Sequence, residues 1–477
     1  MRRPTIVRDG MVATSHPLAT RAGVRALERG GNAVDAALAA AAMLCVAEPG
    51  HTGIGGDLFA QLWWDRELVG LNGSGRSPGE LPDGAAVTEF GPTSVTVPGT
   101  VRAWADLAER FGRLGLDAAI ADAVDAGERG IAATERVAQN WAASPRAPYP
   151  APAPGEIYRF PELAATLRRI ASEGPDAFYR GRVAEQIAAV SWLGEADLAA
   201  HASEWVEPLR LAYRGVEVCE LPPNGQGAAA LIALALLDGL PDTLHSRIEV
   251  TKLALADAYG HFADAPFPEF LLDPEHLAAR RALVSPERAL DPEPSTAPRG
   301  GTTYLCAVDG DRNAISLIQS TYYHWGSGVL AGETGIMLQN RAWGFTSGPN
   351  ELEPGKRPFH TIIPGMLLRD GELWGPFGVM GGPMQAQGHL QLVHGLVDRG
   401  LDPQRALDEP RFRVDEGRHV EVEPGLAGEL DGLRALGHDA VVAGEEHGFG
   451  VGQCVLVEGE ALVGGSDGRG DGHASGM

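Results

Sequence analysis

The sequence predicts an α+β fold, a β-sheet core with helical layers packed against it. Three observations carry that prediction. Strand-like pieces gather toward both ends of the 477-residue chain, while helical periodicity fills its middle. Residues 304–308 and 314–319 are β-rich runs joined by Asp309-Gly310-Asp311-Arg312, which is the turn chemistry of a hairpin. Residues 33–45 are almost all alanine and other small apolar residues, and side chains that small let a buried helix lie close to a sheet. A hydrophobic content of 44% supplies a sizeable core. The length would hold roughly two to three average domains, or one large layered domain with a second lobe.

Taken in order, residues 11–14 read as a short strand. Residues 16–29 read as a helix stopped by Gly30-Gly31, and Asn32 caps the alanine-rich helix that follows. Next come Gly53-Ile54-Gly55-Gly56-Asp57 and a strand over residues 58–64. These glycines follow a helix and precede a strand, the reverse of the order a dinucleotide-binding fingerprint needs, so that reading is rejected. They mark backbone that must approach something closely. A strand over 68–72 leads into the glycine-rich loop carrying Arg76, whose planar fork suits a carboxylate. Residues 93–97 read as a further strand, and residues 101–111, 117–128 and 134–141 as helices. The proline-alanine stretch 145–155 is a surface loop or lobe linker.

Helices are expected over 163–172, 178–190 and 197–202, strands over 209–213 and 216–221, then a helix over 228–237 and a helical region to about residue 262. The following segment to Arg299 is charged and loop-rich, and from Asp291 to Arg299 too rich in proline for a central strand or helix. Strands are expected over 335–340, 365–369 and 374–380. Gly381-Gly382 follows the last of these and precedes a helix over 387–398, a place where two backbone N–H groups could form an oxyanion hole. The tail alternates strands and turns and ends in a polar, glycine-rich stretch, 464–477.

The chemistry-bearing stretch is Gly300-Gly301-Thr302-Thr303. If the chain broke between Gly301 and Thr302, Thr302 would head a buried strand with a free α-amine. Its hydroxyl would be the nucleophile and its own amine, titrating near ~8, the base.

Composition excludes several classes. Lys+Arg 39 against Asp+Glu 63 gives a formal charge of −24, which disfavours nucleic acid and anionic membrane surfaces as partners. No apolar run approaches the ~18 residues of a membrane span, and no signal peptide is visible, so a cytoplasmic location is expected. Cys45, Cys219, Cys306 and Cys454 are scattered in apolar contexts without metal-ligand or disulfide spacing. No metal and no cofactor are expected.

Together the pieces resemble the γ-glutamyltransferase family of N-terminal-nucleophile (Ntn) hydrolases. The motifs that carry the resemblance are Gly30-Gly31-Asn32-Ala33-Val34-Asp35-Ala36-Ala37, Gly53-Ile54-Gly55-Gly56, Val97-Pro98-Gly99, Thr302-Thr303 with Val308-Asp309, and Gly381-Gly382, in family order from Met11 to the chain's end. The resemblance implies a four-layer αββα sandwich made as an inactive precursor. The precursor would cut itself into a large fragment, 1–301 (a helical lobe plus part of the sandwich), and a small one, 302–477, that stay packed as one intertwined fold. Two processed units could further pair as a homodimer. Thr302 would form an acyl-enzyme with a small amide substrate that carries a carboxylate and pass the acyl group to water or an amine. Gly381 and Gly382 would bind the oxyanion, Ser320 would orient the nucleophile, and Arg76 would hold the donor carboxylate. A γ-glutamyl donor would place the enzyme in glutathione metabolism.

The sequence also departs from the family pattern. Gly344 stands where γ-glutamyl enzymes use an acidic residue for the donor ammonium, Tyr322 where they use an asparagine, and His360-Thr361 where they carry a serine pair. A bare ammonium in a partly buried pocket costs about 1–3 kcal/mol or more. The departures point toward a donor without the amino group, as in glutaryl (cephalosporin) acylase or oxamate amidohydrolase activity. Arg341 would add a second positive charge, and Tyr322, Trp325, Trp343, His360 and Thr361 are candidate pocket residues. A further alternative is an unprocessed relative that binds a small acid without turning it over.

Overall fold

The computed structural model describes residues 2–291, 301–444 and 448–477. Two seven-stranded sheets form its centre. One runs in the order Thr5–Val7, Ala461–Ser466, Val451–Glu458, Glu372–Met380, Gly365–Arg369, Val216–Glu220, Leu209–Tyr213. The other runs His473–Gly476, Met11–Thr14, Gly301–Val308, Ala314–Tyr322, Asp57–Trp64, Glu67–Asn72, Glu204–Val206. Every strand pairing within them is antiparallel. The second sheet therefore interleaves strands from both sides of the Gly301–Thr302 bond.

The sheets face each other across an apolar layer that includes Met11, Phe59, Tyr304, Cys306, Val308, Met366 and Val455. Leu305 and Ala307, pointing the other way, pack under the helices Pro17–Glu28 and Ala33–Ala47. This is why the strand Gly301–Val308 reads as one unbroken apolar run, since both of its faces are buried. On the outer side of the first sheet lie the helices Gly227–Leu237, Leu244–His261 and Met384–Val397. The result is the αββα sandwich.

All fifteen residues of Ala33–Ala47 are buried. Asn32 and Asp35 form a capping box at its start, and Asp309 Oδ2 accepts from the Ala33 N–H at 3.1 Å. Asp309 thus ties the hairpin turn to that helix. Where Pro17–Glu28 crosses it, a Cβ on Gly23 would stand 2.9 Å from the Ala36 carbonyl, so only glycine allows the approach. The same holds for the stretch before Asp57, because a Cβ on Gly56 would stand 2.2 Å from the carbonyl of Ser320. No described helix is long and apolar enough to cross a membrane.

Several expected elements differ. Residues 93–97 form a 3-10 turn, Pro92–Ser94, and an extended loop rather than a strand. The expected strand over 335–340 makes only an isolated bridge, Leu330 to Met337, because its Gln339 N–H is taken by Gly55 O. The helix expected over 178–190 is two, Asp176–Tyr179 and Arg182–Val190, broken at Gly181 with φ 61°. The chain's end is no loose tail, since His473–Gly476 pairs with Met11–Thr14. Of the proline-rich lead-in, all but Asp291 lies outside the described residues, as does Gly300.

Candidate active site

Thr302 is the second residue of its strand and only 2% exposed. Opposite it, in the strand Ala314–Tyr322, a register shift between Gly301 and Thr303 leaves Thr302 unpaired in the ladder. Its Oγ1 donates to the Gly301 carbonyl at 2.8 Å and lies 3.2 Å from Ser320 Oγ. Ser320 Oγ donates to the same carbonyl at 2.7 Å and accepts from the Tyr322 N–H at 2.8 Å. Two hydroxyls therefore converge on one peptide carbonyl. Tyr322, which pairs directly with Gly301, is held at φ 79°, a conformation rare for a bulky residue. On Gly301's other side a Cβ would stand 2.3 Å from Cδ2 of His324.

Thr302 borders a cavity of about 1240 Å³ that Gly301, Tyr323, His324, Trp343 and Gly381 also line. Gly381 and Gly382 close the strand Glu372–Met380 with φ 131° and 59°, values that favour glycine at both positions. Gln226 Nε2 holds that turn in place by donating to Gly382 O at 2.8 Å and to Thr361 O at 2.6 Å.

Beneath lies a buried polar group that the sequence reading did not single out. Asp57 Oδ1 accepts from the Gly75 and Gly99 N–H groups and from Gln339 Nε2, at 3.0, 3.3 and 3.0 Å. Oδ2 meets His360 Nε2 at 3.2 Å. Burial pushes the Asp57 carboxyl up to about 6, against the pull of these donors and of Arg341. Burial, and then Arg341, hold His360 well below its usual range, so it is neutral. Its Nδ1 accepts from the Ile362 N–H at 3.3 Å, leaving Nε2–H to donate to Asp57. Arg341 is fully buried, stacks 3.7 Å above the Tyr322 ring and donates from Nη1 to Thr361 Oγ1 at 3.2 Å.

Thr302, Ser320, Gly381 and Trp343 thus meet at the cavity or its wall, and Gly382 lies in the same turn as Gly381. Tyr322, Arg341, His360 and Thr361 form the adjoining buried layer. Arg76 stands apart. It is bound to Asp264 Oδ2 at 2.7 Å, Gly355 O at 2.9 Å and Glu204 Oε1 at 2.9 Å, and is not among the described residues lining the cavity. Its fork is filled by two carboxylates of this chain. Trp325 packs on Trp141 instead of facing the cavity. Asp57, Gln226, Gln339 and His324 went unrecognised. Only Asp57 had a local signal, as the polar residue closing the glycine stretch, and the others are placed by contacts far apart in sequence.

Two antiparallel sheets between helical layers, with a buried threonine near the head of a central strand, define the class of N-terminal-nucleophile amide hydrolases. The gamma-glutamyltranspeptidase family profile matches residues 19–477. The chain belongs to that family and is an enzyme. It is 34% identical to the glutathione hydrolase-like YwrD proenzyme of Bacillus subtilis (strain 168) and 32% identical to the oxamate amidohydrolase proenzyme of Klebsiella pneumoniae, each over the full length of both chains. The crystal structure of cephalosporin acylase from Bacillus halodurans superposes with a TM-score of 0.95 at 41% identity, covering 100% of this chain and 97% of that one.

Proposed function

We propose that this chain is a precursor that cuts itself between Gly301 and Thr302, into fragments 1–301 and 302–477, and then hydrolyses amides of a carboxylate-bearing acyl donor. The observation that carries this reading is the pair of hydroxyls, Thr302 Oγ1 and Ser320 Oγ, on the Gly301 carbonyl. In processing, Thr302 Oγ1 adds to the Gly301 carbonyl carbon and its proton passes to the departing Thr302 nitrogen. Ser320 Oγ–H supports the developing oxyanion. The C–N bond breaks, and water hydrolyses the resulting ester to a Gly301 carboxylate and a free Thr302 amine. The interleaving of strands from both fragments in one sheet is why they would stay together.

In turnover, the Thr302 amine takes the proton from its own hydroxyl as Oγ1 attacks the donor amide, and returns it to the leaving amine. Backbone N–H groups at Gly381 and Gly382 are the oxyanion donors in this reading. Water then releases the acid. A donor lacking an ammonium, of the glutaryl or oxamate kind, is favoured over γ-glutamyl. Gly344 offers no charge, and Tyr322 carries a guanidinium on its face, which would repel an ammonium. Two similar proteins, a cephalosporin acylase and an oxamate amidohydrolase proenzyme, support the same choice. Four buried free thiols fit a reducing cytoplasmic setting.

The test is the intact mass of freshly purified protein beside a Thr302→Ala variant. Two fragments in the wild type, the smaller beginning at Thr302, and one chain in the variant are expected. A single chain in both would return the protein to the unprocessed small-acid-binding reading.

A further inference from the structure

The guanidinium of Arg341 is an incompletely matched cation at the centre of the buried layer. Of its nitrogens only Nη1 has a partner, Thr361 Oγ1, while Nε and Nη2 are buried and meet no acceptor among the described residues. Buried donors left bare are rare and costly, and each such group asks for an explanation. Two polar groups of the same layer are already engaged elsewhere. Asp57 is spent on four other donors, two of them backbone N–H groups that cannot swing away. His360 gives its one N–H to Asp57 and fills its other nitrogen with the Ile362 N–H. Burial lowers Arg341 to about 10, which still leaves it charged at neutral pH.

The two bare nitrogens also have a shape. Nε–H and the neighbouring Nη2–H form the side-on edge of the guanidinium, spaced to meet both oxygens of one carboxylate. The opposite end is pinned by Thr361 and the flat face by Tyr322, so the edge is pre-set rather than free to rotate. Tyr322 in turn gives its N–H to Ser320 Oγ and pairs across the sheet with Gly301. Like Arg76, Arg341 is not among the described residues that line the cavity in the uncut chain; what sets its edge apart is that it is unfilled and lies one sheet pairing from the bond that Thr302 is placed to cut. Gly301 is the residue that leaves this pairing once the chain is cut, so the processed form is the one that can receive a ligand there.

We propose that Arg341, not Arg76, is the receptor for the free carboxylate of the acyl donor, through a bidentate Nε and Nη2 contact formed after Gly301 is released. The inference rests on the self-cleaving hydrolase reading and deepens it. It names the donor class as monoamides of dicarboxylic acids, bound by their anionic end with no need of an ammonium.

The experiment uses processed wild type and processed Arg341→Lys, Arg341→Gln and Arg76→Gln variants, each verified as two fragments by intact mass. Three p-nitroanilides serve as donors: glutaryl (carboxylate only), γ-glutamyl (carboxylate and ammonium) and butyryl (neither). Free glutarate is tested as a competitive inhibitor. Arg341→Gln should lose on the order of 10- to 100-fold in kcat/KM on the glutaryl donor, the span of a lost charged hydrogen-bond pair, with butyryl turnover nearly unchanged. Arg341→Lys should lie between, because a point charge replaces the fork. Arg76→Gln should leave glutarate inhibition within about twofold of wild type. An equal fall on glutaryl and butyryl donors would overturn the proposal, as would loss of glutarate inhibition in Arg76→Gln alone. If the Arg341 variants do not mature, the Arg76→Gln result decides by itself. A wild type that stays one chain removes the hydrolase reading and the receptor with it. A cleaved, butyryl-active wild type indifferent to the glutaryl carboxylate removes only the receptor.

Discussion

Ser320 directs its hydroxyl at the carbonyl oxygen of Gly301 across 2.7 Å, on the same oxygen that Thr302 Oγ1 reaches at 2.8 Å. A donor already aimed at the carbonyl of the bond to be cut stabilises charge that develops only as that bond is attacked. Removing one such donor from an oxyanion site slows the step by about 10²–10³. Ser320→Ala should therefore slow fragment formation by that order, and Ser320→Thr should retain most of the rate. A time course of intact mass after expression in a freshly induced culture reads both. Maturation of Ser320→Ala at the wild-type rate would remove Ser320 from the step.

The fit between Gly301 and His324 gives a second prediction. A methyl group at position 301 would sit 2.3 Å from Cδ2 of a ring that is itself stacked on His51 at 4.4 Å. The clash is resolved only by moving the peptide or the ring. Gly301→Ala should block or strongly retard processing, while the double variant Gly301→Ala/His324→Ala should regain it. If the single variant processes normally, the packing is not restrictive. If the double variant stays blocked while His324→Ala alone matures, glycine is needed for some reason other than this ring.

Much of this architecture was legible in the sequence because it is carried by local chemistry. Asn32 announces a capped helix, Asp309-Gly310 a hairpin, and the Gly53–Gly56 stretch a close approach that proves to be to Ser320. Thr302 and Gly381 stood out for the same reason, as each sits at a strand or turn position its neighbours define, whereas Ser320 was reached only through the family resemblance. Charge pairing was not legible. Arg76 read as an open clamp because nothing nearby shows that Glu204 and Asp264, 128 and 188 residues away, fill it. The saturated Asp57 and the bare edge of Arg341 likewise exist only once distant segments meet. The strands expected over 93–97 and 335–340 failed on the same ground, since β-propensity does not supply a ladder partner.

A buried cluster on the helix Leu244–His261 sets a stability prediction. Lys252 Nζ bonds Glu249 Oε1 at 2.9 Å, Leu290 O at 3.1 Å and His438 Nδ1 at 3.3 Å, while His245 joins His438 at 2.8 Å. His245, Glu249 and His438 are close enough to hold a metal ion, but the ammonium of Lys252 already serves Glu249 as its cation. Glu249 Oε2 also accepts from the Leu290 N–H at 2.7 Å, so the pair fastens the chain just before the lead-in to Thr302. Lys252→Met would strand a buried carboxylate, at a cost of about 3–5 kcal/mol. Urea unfolding of the Thr302→Ala single chain with and without the substitution measures it. A loss below about 1 kcal/mol would mean that water or another cation replaces the lysine.

Glu48 should govern part of the pH dependence of stability. It is buried, takes a 2.6 Å hydrogen bond from Ser15, and has Asp471 and Arg136 as its charged neighbours. Burial raises its carboxyl from 4.5 to about 7, more than the Ser15 hydroxyl and Arg136 lower it, with Asp471 adding to the rise. Between those values the folded chain holds a proton that the unfolded chain has released, so unfolding becomes easier as pH rises. The stabilisation is fully present below 4.5 and is lost as pH rises through about 7. A shift of that size corresponds to a difference on the order of 3 kcal/mol. Glu48→Gln keeps an acceptor for Ser15 and removes the titration. In the Thr302→Ala background its stability relative to the parent should grow steadily from pH 4.5 to 7.5 and then level off, read as urea midpoints at constant ionic strength. Parallel curves for the two proteins across that range would show that Glu48 is ionised in the folded chain throughout.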